Sequence, residues 1–312
     1  SLKRLFSHFV FGLGVFVFLL NKRPKLIYCS YPSVSAAFFC SIYKFIFPAT
    51  RLFFDVQDLW PESFNMVKGY SQLKFVNLYY VLLNTIIFRS ATELLTVSQT
   101  FTNYLTTKYS LKCKVNTVLI GTQTEKYRKE ERSGFNICYI GNMSKSYDLL
   151  AFLQVLNDLK PNKKFELHLY GDGVDRNDLE NFTQKHRLPV HFKGFVPISF
   201  LMDNLSKYSL AINPIIKTSK ATIINKVADY AAAGLPVLNT QMSDEYINYL
   251  KYYRAGETFD LQKDKSKVLE FIELLSEDEQ RLDMYARGAS IMADELFNRS
   301  KTYQTIFHLL NS

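Results

Sequence analysis

Short apolar runs of four to six residues alternate along this chain with longer stretches whose apolar positions recur at helical spacing. Before the midpoint the strand-like runs are Leu26–Ser30, Leu52–Val56, Glu93–Val97 and Val115–Ile120. From Phe135 onward they are Phe135–Ile140, Phe165–Tyr170, Val190–Lys193, Leu210–Asn213, Pro236–Asn239 and Gly256–Phe259. Helical patterns fall between them, as in Gln72–Arg89, Tyr147–Leu159, Asp175–His186 and Asn225–Ala233. Strand–helix alternation of this kind predicts parallel sheets covered by helices on both faces. The polar stretch Thr122–Gly134 separates the two series and reads as a linker.

Six strands after the linker suffice for a complete doubly wound domain, whereas only four precede it. The expectation is an α/β chain with two Rossmann-like domains facing a cleft, the first lacking one or two strands at its beginning. That shortfall predicts either further residues before Ser1 or an abbreviated domain. The expected division is 1–128 for the first domain, 129–290 for the second, and a helix at 291–312 that could pack back on the first.

Length and composition agree with this division. The 312 residues are 47% hydrophobic and 21% charged, enough for two cores and unlike a disordered chain. The net charge of +9 calls for an acidic partner. No basic tract is dense enough, or interleaved with aromatics in the right way, for nucleic acid. Lys3, Arg4, Lys22, Arg23 and Lys25 instead flank the apolar segment Phe9–Leu20, an arrangement suited to an anionic membrane surface. That segment is shorter than the ~18–20 residues that span a bilayer. Asn21, Lys22, Arg23 and Pro24 follow it in place of a small-residue cleavage site. A buried domain helix, a membrane-surface helix and a targeting segment all remain open readings.

Cys29, Cys40, Cys113 and Cys138 are scattered, and no zinc or disulfide spacing links them. The five histidines form no His-x-x-x-His pair, so no metal site is expected. His168 and His191, both in strands, read as satisfied core or edge residues.

Candidate chemistry gathers in the second series. Three strands end in glycine: Ile140-Gly141-Asn142, Tyr170-Gly171-Asp172-Gly173 and Lys193-Gly194-Phe195-Val196. Glycine lets the main chain approach a ligand closely at the carboxyl edge of a parallel sheet, where ligands of open α/β folds bind. Any one of them alone is ordinary turn chemistry. The block from Thr222 to Val237 reads as a loop, a short helix, a glycine stop and a strand. A helix starting near Asn225 aims its amides and dipole at an anion, and Lys226 adds a full charge there. One turn on, Asp229 can accept two ribose hydroxyls. The plainer alternative is an amphipathic helix with an exposed Lys and Asp.

Together these residues resemble glycosyltransferase family 4, the retaining GT-B enzymes of bacterial capsule, O-antigen and exopolysaccharide assembly. Asn225-Lys226-Val227-Ala228-Asp229-Tyr230 with Ala233-Gly234-Leu235-Pro236 is similar to the family's donor signature. Ile140-Gly141-Asn142 with Ser146-Tyr147-Asp148-Leu149 is similar to its first donor-domain loop. Asp55-Val56-Gln57-Asp58-Leu59-Trp60-Pro61-Glu62-Ser63 resembles an acceptor-domain segment.

The resemblance implies roles. Lys226 and the amides near Asn225 would hold a diphosphate, with Lys145 as a second cation, and Asp229 would bind ribose. The backbone of Gly194, Phe195 and Val196 would meet the base, while Gly141, Asn142 and Gly171 lie beneath the donor. Asp58 and Glu62 would orient the acceptor hydroxyl, with Lys226 as the electrostatic catalyst. The implied reaction transfers a hexose-type sugar from a nucleotide diphosphate donor, modally UDP-linked, to a lipid-linked or glycan acceptor. It needs no metal or cofactor and belongs to the cytoplasmic membrane face.

Three departures qualify this likeness. Ala221 stands where the family commonly has an acid, and Gln57 where it often has His. The family's amino-terminal Gly-rich loop is absent. They support a second reading, a non-catalytic transferase-like binding subunit. A nucleotide-sugar 2-epimerase would need carboxylates and a His in the cleft that the sequence does not supply.

Overall fold

A computed structural model describes residues 2–61, 74–128, 130–132, 134–158, 165–217 and 222–311, and it divides into units 1–119 and 120–312. The first unit runs α1 (Leu2–Lys22), β1 (Leu26–Tyr31), α2 (Val34–Ile46), β2 (Arg51–Val56), α3 (Lys74–Ser90), β3 (Glu93–Thr96), α4 (Gln99–Tyr109) and β4 (Lys114–Thr117). Its four strands pair in parallel in the order β1-β2-β3-β4.

In β2, Leu52, Phe53, Phe54 and Val56 are all fully buried. A continuous apolar run is what a strand covered on both faces requires, since neither side meets water. Helix α2 lays Ala37, Cys40 and Tyr43 on the sheet. The buried Asn84 amide ties α3 to the sheet edge. Its Oδ1 accepts from the Tyr31 hydroxyl at 2.7 Å and its Nδ2 donates to the Trp60 carbonyl at 2.5 Å. Ser98 caps α4 by accepting the Phe101 N–H at 3.1 Å.

Helix α1 carries the apolar segment that the sequence left open. One face packs on α2, with the Phe9 and Phe16 rings 5.8 and 5.7 Å from Phe39. Around the rest of the helix, Phe6, Phe11, Val17 and Phe18 are at least half exposed. Among the described residues, no helix is long and apolar enough to cross a membrane.

The second unit runs β5 (Asn136–Ile140), α5 (Leu149–Asn157), β6 (Glu166–Tyr170), α6 (Arg176–Lys185), β7 (Val190–Gly194), α7 (Ile198–Asn204), β8 (Leu210–Asn213), α8 (Asn225–Ala232), β9 (Val237–Asn239), α9 (Asp244–Tyr253) and β10 (Gly256–Thr258). Helices α10 (Lys265–Glu277), α11 (Glu279–Leu296) and α12 (Arg299–Asn311) complete it. The six strands are parallel in the order β10-β9-β8-β5-β6-β7. Counted from β5, that is the doubly wound Rossmann order, and the winding reverses between β5 and β8. The α/β class and the two Rossmann-like units are therefore as expected. The crevice at that reversal lies at the ends of Ile140 and Asn213, where the chain turns into its glycine loop.

The core beneath it is built from Phe152, Leu153 and Leu156 of α5, Leu167 and Leu169 of β6, and Ile212 of β8. The residues just after Ile120 fold with this unit. The Thr122 N–H donates to the Phe297 carbonyl at 2.8 Å, and the Arg299 guanidinium donates to the Gly121 carbonyl at 2.9 and 3.1 Å.

Phe152 is fully buried against both sides of this core. Phe152→Ala removes a ring the surroundings cannot refill, and it should cost the second unit about 3–5 kcal/mol. The shift of the urea midpoint, followed by circular dichroism, measures this.

Candidate functional site

The three glycine strand ends lie side by side. The Gly141 N–H donates to the Tyr170 carbonyl at 2.9 Å and the Gly171 N–H to the Gly194 carbonyl at 2.8 Å. Gly171 has φ +115°, and a Cβ there would lie 2.0 Å from the Gly141 carbonyl oxygen. No other residue fits that conformation and that space. Gly141, at φ +139°, leaves its missing side chain's place to Lys226, whose Nζ would stand 2.7 Å from such a Cβ. The glycine at the end of β5 thus makes room for a cation.

That cation is the centre of the site. Lys226 lies in the first turn of α8, and Ile224 before it gives no side-chain cap. The side chain is 9% exposed, and among the described residues its Nζ has no hydrogen-bond partner. It sits 4.1 Å from the Tyr139 ring centroid and 3.9 Å from that of Tyr147, two rings that meet edge to face. The π-faces stabilise the ammonium without using its donors. Burial holds its pKa well below the usual lysine value. A desolvated ammonium with three free donors beside helix amides is complementary to a phosphate-like anion.

The aromatic pair belongs to the same loop. Tyr139 donates its hydroxyl to the Asn142 carbonyl at 2.7 Å, fixing the loop after β5. Asn142 is exposed above it, as are Lys145 and Asn225. Tyr230 bolts α8 to the sheet: its hydroxyl accepts the Ile140 N–H at 2.8 Å and donates to the Ile212 carbonyl at 3.3 Å. The helix start is therefore held at the winding reversal by both central strands.

Asp229 is half-buried one turn further along α8. It accepts from the Tyr127 hydroxyl at 2.6 Å and from Thr122. Burial raises its pKa, and these two hydroxyls and Arg299 oppose that shift. Burial, then the charge of Asp229, raises the Tyr127 pKa. The linker thus supplies a partner to the carboxylate that the sequence left unpaired. At the end of β7, Gly194 and Val196 are half-buried and Phe195 is 86% exposed, presenting an aromatic face beside the loop.

A second group went unnoticed in the sequence. Asn213, Asn239 and Gln241 are buried together at the carboxyl ends of β8 and β9. Asn213 Nδ2 donates to Asn239 Oδ1 at 2.9 Å and to Gln241 Oε1 at 3.2 Å. Gln241 Nε2 donates to the Thr222 carbonyl at 2.8 Å, anchoring the approach to α8. Polar residues closing apolar strands were its only signal. Ala221 lies outside the described residues.

In the first unit, Asp58 follows β2 and accepts the Leu59 N–H at 2.9 Å and the Trp60 indole N–H at 3.2 Å. Gln57 is exposed and donates to Asp55 at 2.6 Å. Glu62 lies outside the described residues.

The sequence expectation of dispersed histidines needs correcting. Parallel pairing of β6 with β7 sets His168 directly beside His191, with ring centroids 4.8 Å apart. Glu166 joins them on the same face, so these three could ligate a metal. Burial holds the His168 imidazolium below its usual pKa, partly opposed by Glu166. A cavity of about 1180 Å³ elsewhere in the second unit, bounded by Arg132, Phe135, Gly234, Asp283 and Ser290, contains none of the expected site residues.

Residues 134–266 match the protein family described as Glycosyl transferases group 1. No curated protein sequence matches the chain. Among solved structures, the chain is similar to sucrose-phosphate synthase from Thermosynechococcus elongatus, with TM-score 0.73 and 13% identity over 95% of this chain and 75% of that one. It is also similar to Anabaena HepE in complex with UDP, with TM-score 0.72 and 16% identity over 92% of this chain and 78% of that one. The glycosyltransferase WaaG of lipopolysaccharide biosynthesis matches with TM-score 0.64 and 16% identity over 87% and 80% of the two chains. These likenesses show the fold, the two-unit α/β architecture of GT-B glycosyltransferases.

Folding disfavours the charged form of Lys226, because its folded pKa is depressed. The cost is present at neutral pH and fades as pH rises towards the unfolded value of about 10.4. Lys226→Met should therefore raise stability at pH 7 by about 1–3 kcal/mol, the range for relieving an unsatisfied buried polar group. Urea titrations at pH 7 and pH 10 should show that advantage shrinking at the higher pH.

Proposed function

We propose that the chain is a retaining, metal-independent glycosyltransferase. In this reading it moves a hexose-type sugar from a nucleotide diphosphate, modally UDP, to a lipid-linked or glycan acceptor of bacterial surface-polysaccharide assembly. The observation that carries the reading is the buried Lys226 ammonium beneath Gly141 at the start of α8, unpartnered among the described residues. Supporting it are the family match over 134–266 and the UDP in the HepE structure.

Diphosphate binding would give that ammonium a counter-charge and favour the protonated form that burial disfavours. As the anomeric C–O bond to the diphosphate breaks, negative charge builds on the leaving oxygen. Lys226 and the α8 amides stabilise it in a site with little water. The acceptor oxygen bonds to the anomeric carbon on the same face, and its proton passes to the departing phosphate oxygen. No strong protein base is then needed, and Asp58 and Glu62 are left to orient the acceptor hydroxyl. Asp229 takes the ribose with the lone pairs that Tyr127 and Thr122 leave available, and the backbone at Gly194, Phe195 and Val196 meets the base. Gly171 and Asn142 shape the floor, and Lys145 adds a second cation.

The exposed apolar face of α1, flanked by Lys3, Lys22 and Arg23, supports peripheral docking on the anionic inner face of a cell membrane. The reading of a non-catalytic binding subunit gains no particular observation.

Lys226→Ala should lower turnover by about 10²–10³-fold, the usual effect of removing one charge-stabilising contact, with the circular dichroism spectrum unchanged. A UDP-sugar at 100 times its Kd should stabilise the wild type by about 2.7 kcal/mol. No stabilisation by any UDP-, GDP- or dTDP-sugar would sink the reading, and EDTA should leave turnover unaltered. In co-sedimentation with phosphatidylserine vesicles, Phe11→Asp with Phe18→Asp should release the chain from the pellet. Undiminished binding by that double variant would exclude α1 as the docking face.

A further inference from the structure

Three side chains able to ligate a metal gather at the edge of the second sheet, apart from the residues proposed for glycosyl transfer. Glu166 and His168 stand two residues apart on β6 and so share one face, and His191 is the direct neighbour of His168 on the edge strand β7. Glu166 Oε2 lies 3.1 Å from His168 Nε2 and 3.6 Å from His191 Nε2. One ligand atom from each residue lies within 4.8 Å of the others. Ligands at the zinc distance of ~2.0–2.1 Å in a tetrahedron are separated by about 3.3–3.4 Å. The two contacts bracket that value, and the remaining pair, within 4.8 Å, is brought to it by a movement of His191 of at most about 1.5 Å.

What lies behind the ligands also fits. His168 Nδ1 is 2.6 Å from the Tyr208 hydroxyl, which is 2.7 Å from the Tyr170 hydroxyl. A metal-bound imidazole donates its other N–H to an oxygen, which sets its tautomer and orientation. With the Nδ1 proton directed at Tyr208, the Nε2 lone pair faces the group shared with Glu166 and His191. Tyr208 is 6% exposed, so this partner is fixed by packing. Both strands are hydrogen-bonded sheet members, which holds the ligands on a rigid frame. Lys193 opposes the site, since its charge acts on His168, but it is exposed and its long stem can turn away.

We propose that Glu166, His168 and His191 form a three-ligand site for a divalent metal of the zinc class, with Tyr208 as positioning residue and water completing the tetrahedron. Two imidazoles and one carboxylate are the donor set such an ion takes. The bound metal cross-links the edge strand β7 to β6. The site lies away from the carboxyl edge that carries Gly141 and Lys226, so it acts on stability and leaves the transfer chemistry alone.

The test is titration of the full chain, first stripped with EDTA, with ZnCl₂ against a chromophoric chelator, and with CoCl₂ followed by visible absorption. We expect one equivalent of Zn²⁺ at micromolar or lower concentration, tetrahedral Co²⁺ bands, and a raised Tm. His191→Ala, exposed and without a core role, should weaken binding at least 100-fold. Tyr208→Phe should weaken it about 10–100-fold, as changes behind a metal ligand do. His308→Ala, on α12, should change nothing. Absence of binding below 100 µM Zn²⁺, octahedral Co²⁺ bands, or a His191→Ala variant that binds like the wild type would each overturn the site. None of these outcomes depends on sugar transfer.

Discussion

The desolvated ammonium of Lys226 is the constraint around which the second unit is arranged. A lysine so buried, with no hydrogen-bond acceptor in reach among the described residues, is costly in a protein interior. Its surroundings offset only part of that cost. Two tyrosine faces stabilise the charge from either side, and a glycine yields the space a side chain would occupy. Each of those contacts leaves the three N–H donors unused. An arrangement that stabilises a charge while withholding acceptors from it stores affinity for an anion.

The other features of this edge hold that ammonium in place. Tyr230 links α8 to the two strands on either side of the winding reversal. The buried amides of Asn213, Asn239 and Gln241 fasten the backbone that leads into the helix. Tyr127 reaches from the linker to Asp229, so the carboxylate one turn away is also held. Short polar contacts of this kind, buried among apolar strands, fix geometry more tightly than apolar packing alone, because a misplaced partner leaves a group unsatisfied. Those same buried contacts hold the ammonium rigidly.

The two faces of the chain that the site does not use have different physical characters. The open side of α1 is apolar and broad. The Glu166–His168–His191 group is small, directional and polar, and its match is an ion. Both arise from residues other than Lys226 and the side chains around it.

Much of the fold was legible because it follows from local physics. Strand-length apolar runs such as Leu52–Val56 and glycines closing strands, as in Tyr170-Gly171, mark a parallel sheet edge from sequence alone. The start of α8 at Asn225 could be read the same way, since a helix declares itself by periodicity over neighbouring residues. What could not be read depends on register and on crossovers. Tyr127 meets Asp229 from 102 positions away, and His168 meets His191 only because β6 and β7 pair as they do. Nothing near Lys226 in the chain announces that Tyr139 and Tyr147, some 80 positions earlier, will enclose it. The amino-acid sequence by itself determined which segments become strands and helices and where glycine breaks them. Only the tertiary structure decided which side chains lose their water together, because desolvation is a property of packed neighbours and not of chain order.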